Sequence, residues 1–442
     1  MRPEQLLPAF AAAFPDRRPT LAVRAPGRVN LIGEHTDYNG LPVFPMAIQR
    51  EVRVVLAPRD DARVRLVNVA ARFAPRAFEL APAIEPYARG DWGNYAKAAA
   101  QMLVERAGIR RGADLVVEGD VPVAAGLSSS SAFLVACTLA LLAANGIALE
   151  RAHALLAANE VERADGLLAP QGITIGRTEL AELCARAERF VGTQSGGMDQ
   201  AICLGGRAGH ALVIDFAPMR SEAVRMPDDW RFVIADTGVK AEKSGAARDA
   251  YNARTKECRA ALERVRASWS GAPSSWFELV ERHATEELLE RASRAFASSG
   301  AVRSSPGGEG TGAPGDVLLR RFRHVVTEGA RVRGARAAML AGDARGFGAR
   351  MDASHASLRD DYDVSCAELD ELVHLAHSAG ALGARLTGAG FGGCIVALVR
   401  ADDAARVVSE LRARYHAPRG LDAEASVLVA CASDGASTTS IA

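Results

Sequence analysis

Short runs of β-branched and apolar residues alternate along this chain with longer Ala/Leu-rich stretches, which predicts strands and helices in mixed order. LAVRAPGRVNLIG (Leu21–Gly33), REVRVVLAP (Arg50–Pro58), HALVIDF (His210–Phe216) and RFVIADTG (Arg231–Gly238) have the composition of strands. NYAKAAAQMLVERAG (Asn94–Gly108) and SAFLVACTLALLAANG (Ser131–Gly146) end in Gly, as helices do, and a helical pattern also covers Ala246–Ser268. Two segments break the pattern. Residues 298–316 (SSGAVRSSPGGEGTGAPGD) are Gly/Ser/Pro-rich with almost nothing to bury, which predicts a flexible insertion. The tail after Cys431 (ASDGASTTSIA, residues 432–442) is expected to be disordered.

At 442 residues the chain exceeds one ordinary core, so two domains are expected, 1–210 and 211–431. Lys and Arg together number 53 and so do Asp and Glu; this balance argues against a nucleic-acid partner, which calls for a basic face. The longest apolar run, Ala132–Ala144, falls short of the ~20 residues that span a bilayer, and no membrane segment is expected. The N-terminal stretch lacks the basic flank, apolar core and small-residue site of a leader. Seven cysteines lie singly, with no CxxC pair; this favours a reducing, cytoplasmic setting over a disulfide or zinc framework.

Four constellations carry chemistry. The first, GRVNLIGEHTDYNG (Gly27–Gly40), sets Arg28, Glu34, His35, Thr36 and Asp37 close together after a strand. Carboxylates accept from hydroxyls and an imidazole can donate or accept, which suits a polyhydroxylated ligand. By composition alone an exposed polar loop with an incidental histidine is the plainer reading. The second, VPVAAGLSSSSA, places Gly126 and four serines before an apolar helix, where unpaired N–H groups and the helix dipole favour phosphate. A serine N-cap with spare neighbours is the plainer reading.

In the third, Gly196-Gly197 precedes Met198-Asp199-Gln200, so a carboxylate stands beside flexible backbone as a general base requires, or else caps a helix. The fourth, RLTGAGFGGCIVALV, formally spells GxGxxG, but β-branched residues follow it where a dinucleotide site demands a helix. There is no GxxxxGK[ST], HRD or DFG.

Taken together, AlaProGlyArgValAsn through EHTDYN, PxxxGLSSS with Pro122, GxMDQ and GAGFGGC resemble the galactokinase branch of the GHMP kinases. The resemblance covers most of the chain, excluding residues 1–20, roughly 162–178, the insertion and the tail. It implies an α/β (α+β) fold of two mixed domains with the active site between them. It implies ATP and Mg²⁺ as cofactors, with galactose as the small-molecule substrate of a monomer.

Residue by residue, the resemblance implies Asp199 and Arg28 as catalytic and Glu34, His35, Thr36, Asp37 and Tyr251 as sugar contacts. The ATP loop would be Ala124, Ala125, Gly126, Leu127, Ser128, Ser129 and Ser130, with Mg²⁺ on Ser130 and Glu188. Ala124 and Ala125 stand where Gly is frequent. An N-acetylgalactosamine kinase is the nearest alternative and a non-catalytic galactose sensor a more distant one.

Overall fold

The computed structural model describes residues 3–149, 166–168, 174–192, 196–240, 246–297 and 314–441. Most of the expected insertion, 298–313, lies outside these residues. Its final three residues depart from the expectation: Pro314 opens a helix that runs to Leu340. Proline is compatible with a first helical turn because that N–H has no intrahelical partner.

Six strands form the first sheet, in the order Ser437–Ser440, Leu21–Asn30, Pro45–Pro58, Ala113–Gly119, Arg63–Asn68 and Arg76–Glu79. The disordered-tail expectation is thus corrected. Ser437–Ser440 pairs antiparallel with Leu21–Arg24 and supplies an edge strand, satisfying backbone groups that Leu21–Asn30 would otherwise expose. The Ser129–Ala144 helix is apolar on nearly every side and almost wholly buried, as such a helix must be. It packs with Gly93–Ala107 into the core of this sheet, around Val54, Leu56, Leu115 and Leu139.

The second sheet runs Gly383–Thr387, Cys394–Arg400, Trp230–Asp236 and Val427–Ala430. Leu358, Leu369 and Leu372 of the Ala344–Asp360 and Ala367–Ser378 helices fill its core with Phe322 from Pro314–Leu340. A further core joins the two halves. Val29, Leu31, Ile32 and Phe44 meet Trp230, Phe232 and Met351, with Phe347 5.3 Å from the Trp230 ring and 6.2 Å from Phe44. This seam fixes the end of the Leu21–Asn30 strand against the second sheet, and the chemistry-bearing loops gather there.

Candidate active site

The polar loop begins where the Leu21–Asn30 strand stops. Gly33 turns the chain at φ 100°, and a Cβ there would stand 2.9 Å from the Val43 Cα. His35 takes a left-handed conformation at φ 63°, uncommon for a residue with a side chain. Thr36 tightens the loop: its hydroxyl lies 2.8 Å from each of the Gly33 and Pro42 carbonyls. Thr36 therefore ties the loop together with the hydroxyl that was expected on the sugar. Glu34 is buried, accepting from the Gly388 amide at 2.7 Å and the Thr387 hydroxyl at 3.2 Å, with Arg385 at 3.5 Å. Its carboxylate thus fastens the first constellation to the fourth.

Asp37 shows an edge to a cleft of about 730 Å³ that Tyr38, Gly196, Thr255 and Arg259 also line. Its placement is otherwise deep. Burial, with the Asp199 charge second, pushes its carboxyl up to about 6, against backbone hydrogen bonds from Tyr38 and Met198.

Arg28 and Asp199 lie 171 positions apart in sequence and meet in the buried interior. Arg28 Nε donates to Asp199 Oδ1 at 2.8 Å and a terminal nitrogen reaches the same oxygen at 2.7 Å. Burial works against the guanidinium charge, but Asp199, Glu34 and Asp37 more than offset it and hold its pKa above the ordinary value. Asp199 sits in the first turn of the Met198–Gly205 helix. Arg28 also donates to the Gly126 carbonyl, so one side chain touches both the carboxylate and the glycine–serine loop.

In that loop Ala124, Gly126 and Ser128 have φ of 60°, 76° and 61°. Such alternation of left-handed with ordinary residues is how backbone nests for anions are made. The plain N-cap reading fails, since Ser128 makes no capping bond and its buried hydroxyl lacks a partner among the described residues. The fourth constellation backs directly onto this loop: a Cβ on Gly388 would stand 2.8 Å from the Gly126 Cα, and one on Gly393 3.0 Å from the Ala125 carbonyl oxygen. A strand, Cys394–Arg400, follows those glycines, as the dinucleotide-excluding reading requires.

Three features went unassigned in the sequence. Ser131 donates to Glu188 at 2.5 Å and lies 3.3 Å from Asp199 Oδ2, bridging the metal candidate and the base candidate. It was hidden in the serine run, where only the register of the helix start distinguishes one serine from the next. Arg385 is fully buried between Glu34, Ser354 and the Asn30 carbonyl, and Glu328 accepts from the Gly33 amide and Ser354. Tyr38 and Tyr362 surround His35 together with Tyr251, whose ring centre lies 5.4 Å from the imidazole.

Among the described residues no three His, Cys, Asp or Glu side chains converge into a metal cage. Mg²⁺ does not require one, because it usually keeps waters and phosphate oxygens beside one or two protein ligands. The buried Glu188 carboxylate and the Ser131 hydroxyl beside it are hard oxygen donors of the kind that suits it.

Residues 8–58 match a galactokinase galactose-binding signature, 94–173 the GHMP kinase N-terminal domain and 335–417 the GHMP kinase C-terminal domain. A galactokinase from Chloroflexus aurantiacus is 39% identical over 387 residues, covering 87% of this chain and 85% of that protein. The chain belongs to the galactokinase family.

That family consists of ATP-dependent sugar kinases of the GHMP fold, and most of the chain fits it. A Roseiflexus galactokinase is 37% identical over 421 residues, covering 94% of this chain and 92% of its own. Among solved structures, Lactococcus lactis galactokinase complexed with galactose matches with a TM-score of 0.78 at 30% identity, over 98% of this chain and 99% of that one. A mevalonate kinase from L. major shares the fold at a TM-score of 0.56 and 17% identity, over 93% and 95% of the two chains. The mixed α/β expectation is met. Among the described residues no helix is long and apolar enough to cross a membrane.

Proposed function

We propose that this member of the galactokinase family transfers the γ-phosphoryl group of ATP to the anomeric hydroxyl of D-galactose, giving α-D-galactose 1-phosphate and ADP. The observation that carries the reading is the buried Arg28–Asp199 pair, set between the sugar-signature loop and the glycine–serine loop. Asp199 accepts or orients the proton of the attacking hydroxyl, and Arg28 balances charge on the transferring group. Phosphoryl transfer passes through a loose transition state, so alignment contributes as much as proton removal.

Glu34, His35, Asp37 and Tyr251 bound the sugar side, with Thr36 keeping their loop in shape. Residues Ala124 to Ser130 present N–H groups and hydroxyls to the triphosphate. Ser130 and Glu188 would hold Mg²⁺, which when bound offsets charge on the phosphates. We assign all of these groups except Tyr251 to a first domain, 1–210, and Tyr251 to a second, 211–431. We place the protein in the cytoplasm as a monomer; its buried free thiols, among them Cys137 and Cys394, suit a reducing compartment.

The test compares kcat/KM for galactose, N-acetylgalactosamine and arabinose in an ADP-release assay. Galactose should be the preferred substrate. Preference for N-acetylgalactosamine would reassign the substrate, and no turnover on any sugar would revive the sensor reading.

A further inference from the structure

Four side chains form one continuous hydrogen-bonded row ending at the sugar-loop imidazole. The Cys258 sulfur lies 3.0 Å from the Tyr362 hydroxyl, which lies 2.6 Å from the Tyr38 hydroxyl, which lies 2.9 Å from His35 Nδ1. The row crosses three separate elements: the signature loop, the Ala246–Ala267 helix carrying Cys258, and the turn after the Ala344–Asp360 helix carrying Tyr362. Tyr362 is itself held in place, since Arg254 donates to its carbonyl at 2.8 Å and its ring is 4.8 Å from the imidazole. His35 is buried and keeps a left-handed backbone, so its ring has little freedom to turn. Its Nε2 is also buried and has no hydrogen-bond partner among the described residues, while the Ala389 backbone acts on the ring as a hydrogen-bonding neighbour.

The polarity of such a row follows from its ends. A neutral imidazole nitrogen accepts more strongly than a phenol oxygen, and a thiol is the weakest donor of the set. The favoured arrangement has each group donating toward the ring: Cys258 to Tyr362, Tyr362 to Tyr38, and Tyr38 to Nδ1. Each link strengthens the next. Burial, with the neighbouring His324 second, lowers the His35 pKa well below its ordinary value, so the ring stays neutral and carries one proton. With Nδ1 occupied as an acceptor, that proton must sit on Nε2.

We propose that Tyr38 and Tyr362 are positioning residues that lock His35 as its Nε2–H tautomer, so that it offers the sugar a hydrogen-bond donor. The proposal rests on the reading of His35 as a sugar contact. It implies that one ring hydroxyl of galactose is recognised through its oxygen and not through its proton.

Two measurements test it. Protein labelled with ¹⁵N-histidine, with the His35 signals assigned by their loss in His35→Gln, should show a bare Nδ1 and a protonated Nε2 at neutral pH. In Tyr38→Phe the two forms should mix, and KM for galactose should rise about tenfold, the worth of one hydrogen bond, with kcat nearly unchanged. Tyr362→Phe should move both readouts the same way and less far.

Deoxy and deoxyfluoro galactoses, altered at each non-anomeric hydroxyl in turn, supply the second measurement. At one position fluorine, which only accepts, should bind within a few-fold of galactose where hydrogen binds about tenfold more weakly, and His35→Gln should erase that difference. A protonated Nδ1 in the wild-type protein overturns the proposal, as does a fluoro series no better than the deoxy series at every position. If His35→Gln leaves KM unchanged, the sugar-contact reading falls and takes the proposal with it.

Discussion

Arg28 Nε lies 2.8 Å from Asp199 Oδ1, a pairing of the first strand with a helix 171 residues later that is shut away from solvent. Neither charge is tolerable there alone. Removing one partner of a buried pair leaves the other uncompensated, at a cost of about 3–5 kcal/mol. Asp199→Asn keeps the shape and is the gentler variant. It should lower kcat by roughly 10²–10⁴-fold, the span of general-base and orienting effects, while the ATP dissociation constant measured by calorimetry changes little. Near-native kcat in a folded Asp199→Asn protein would remove the base assignment.

Glu34 should behave as a structural carboxylate as well as a sugar group. Glu34→Ala leaves the fully buried Arg385 without its nearest counter-charge and the Gly388 amide without its acceptor. Denaturant unfolding should show a loss of about 3–5 kcal/mol, and Glu34→Gln, which keeps an acceptor for Gly388, distinctly less. Equal losses in the two variants would mean that the loss comes from the charge, which both remove, and that the Gly388 hydrogen bond adds nothing to the fold.

How much of this was readable beforehand differs residue by residue. Asp37 and Asp199 stand in short contiguous strings, and a string is legible whatever the fold does around it. Arg385, Glu328 and Tyr362 are scattered over the last third of the chain among surface charges of similar spelling, and only tertiary packing buries them. The Ser437–Ser440 strand was missed for a related reason. STTS carries no apolar alternation, and its strand state comes from the open edge of Leu21–Asn30 rather than from its own composition. Thr36 was read by its neighbours' chemistry, yet its hydroxyl lies between two carbonyls of its own loop.

Asp37 sets a pH limit. Its folded-state pKa, about 6, lies above the unfolded value of 3.8, so the folded protein binds the extra proton between them. The stability contribution is therefore complete below the lower value and is lost as pH rises through the upper one. Sugar binding runs the opposite way, because only the ionised carboxylate is a full acceptor for hydroxyls. KM for galactose should rise as pH falls below about 6, and in Asp37→Asn it should be raised throughout and lack that limb. A limb that survives in Asp37→Asn would assign it to another group.

The contact between the two glycine loops leaves no room for a side chain. In Gly388→Ala the new Cβ meets the Gly126 backbone at 2.8 Å, and φ 88° is itself unfavourable for alanine. The strain should lower stability by about 1–3 kcal/mol and raise KM for ATP more than KM for galactose, because the displaced atoms belong to the phosphate loop. Steady-state kinetics with each substrate varied in turn gives the comparison.

Identity of the product is the most direct test of the whole account. Purified protein incubated with galactose, ATP and Mg²⁺ should yield a phosphomonoester whose ³¹P signal couples to an anomeric proton of α configuration. A phosphate on any other oxygen, or ATP consumption without a sugar phosphate, would contradict an active site built around Asp199 and the anomeric hydroxyl.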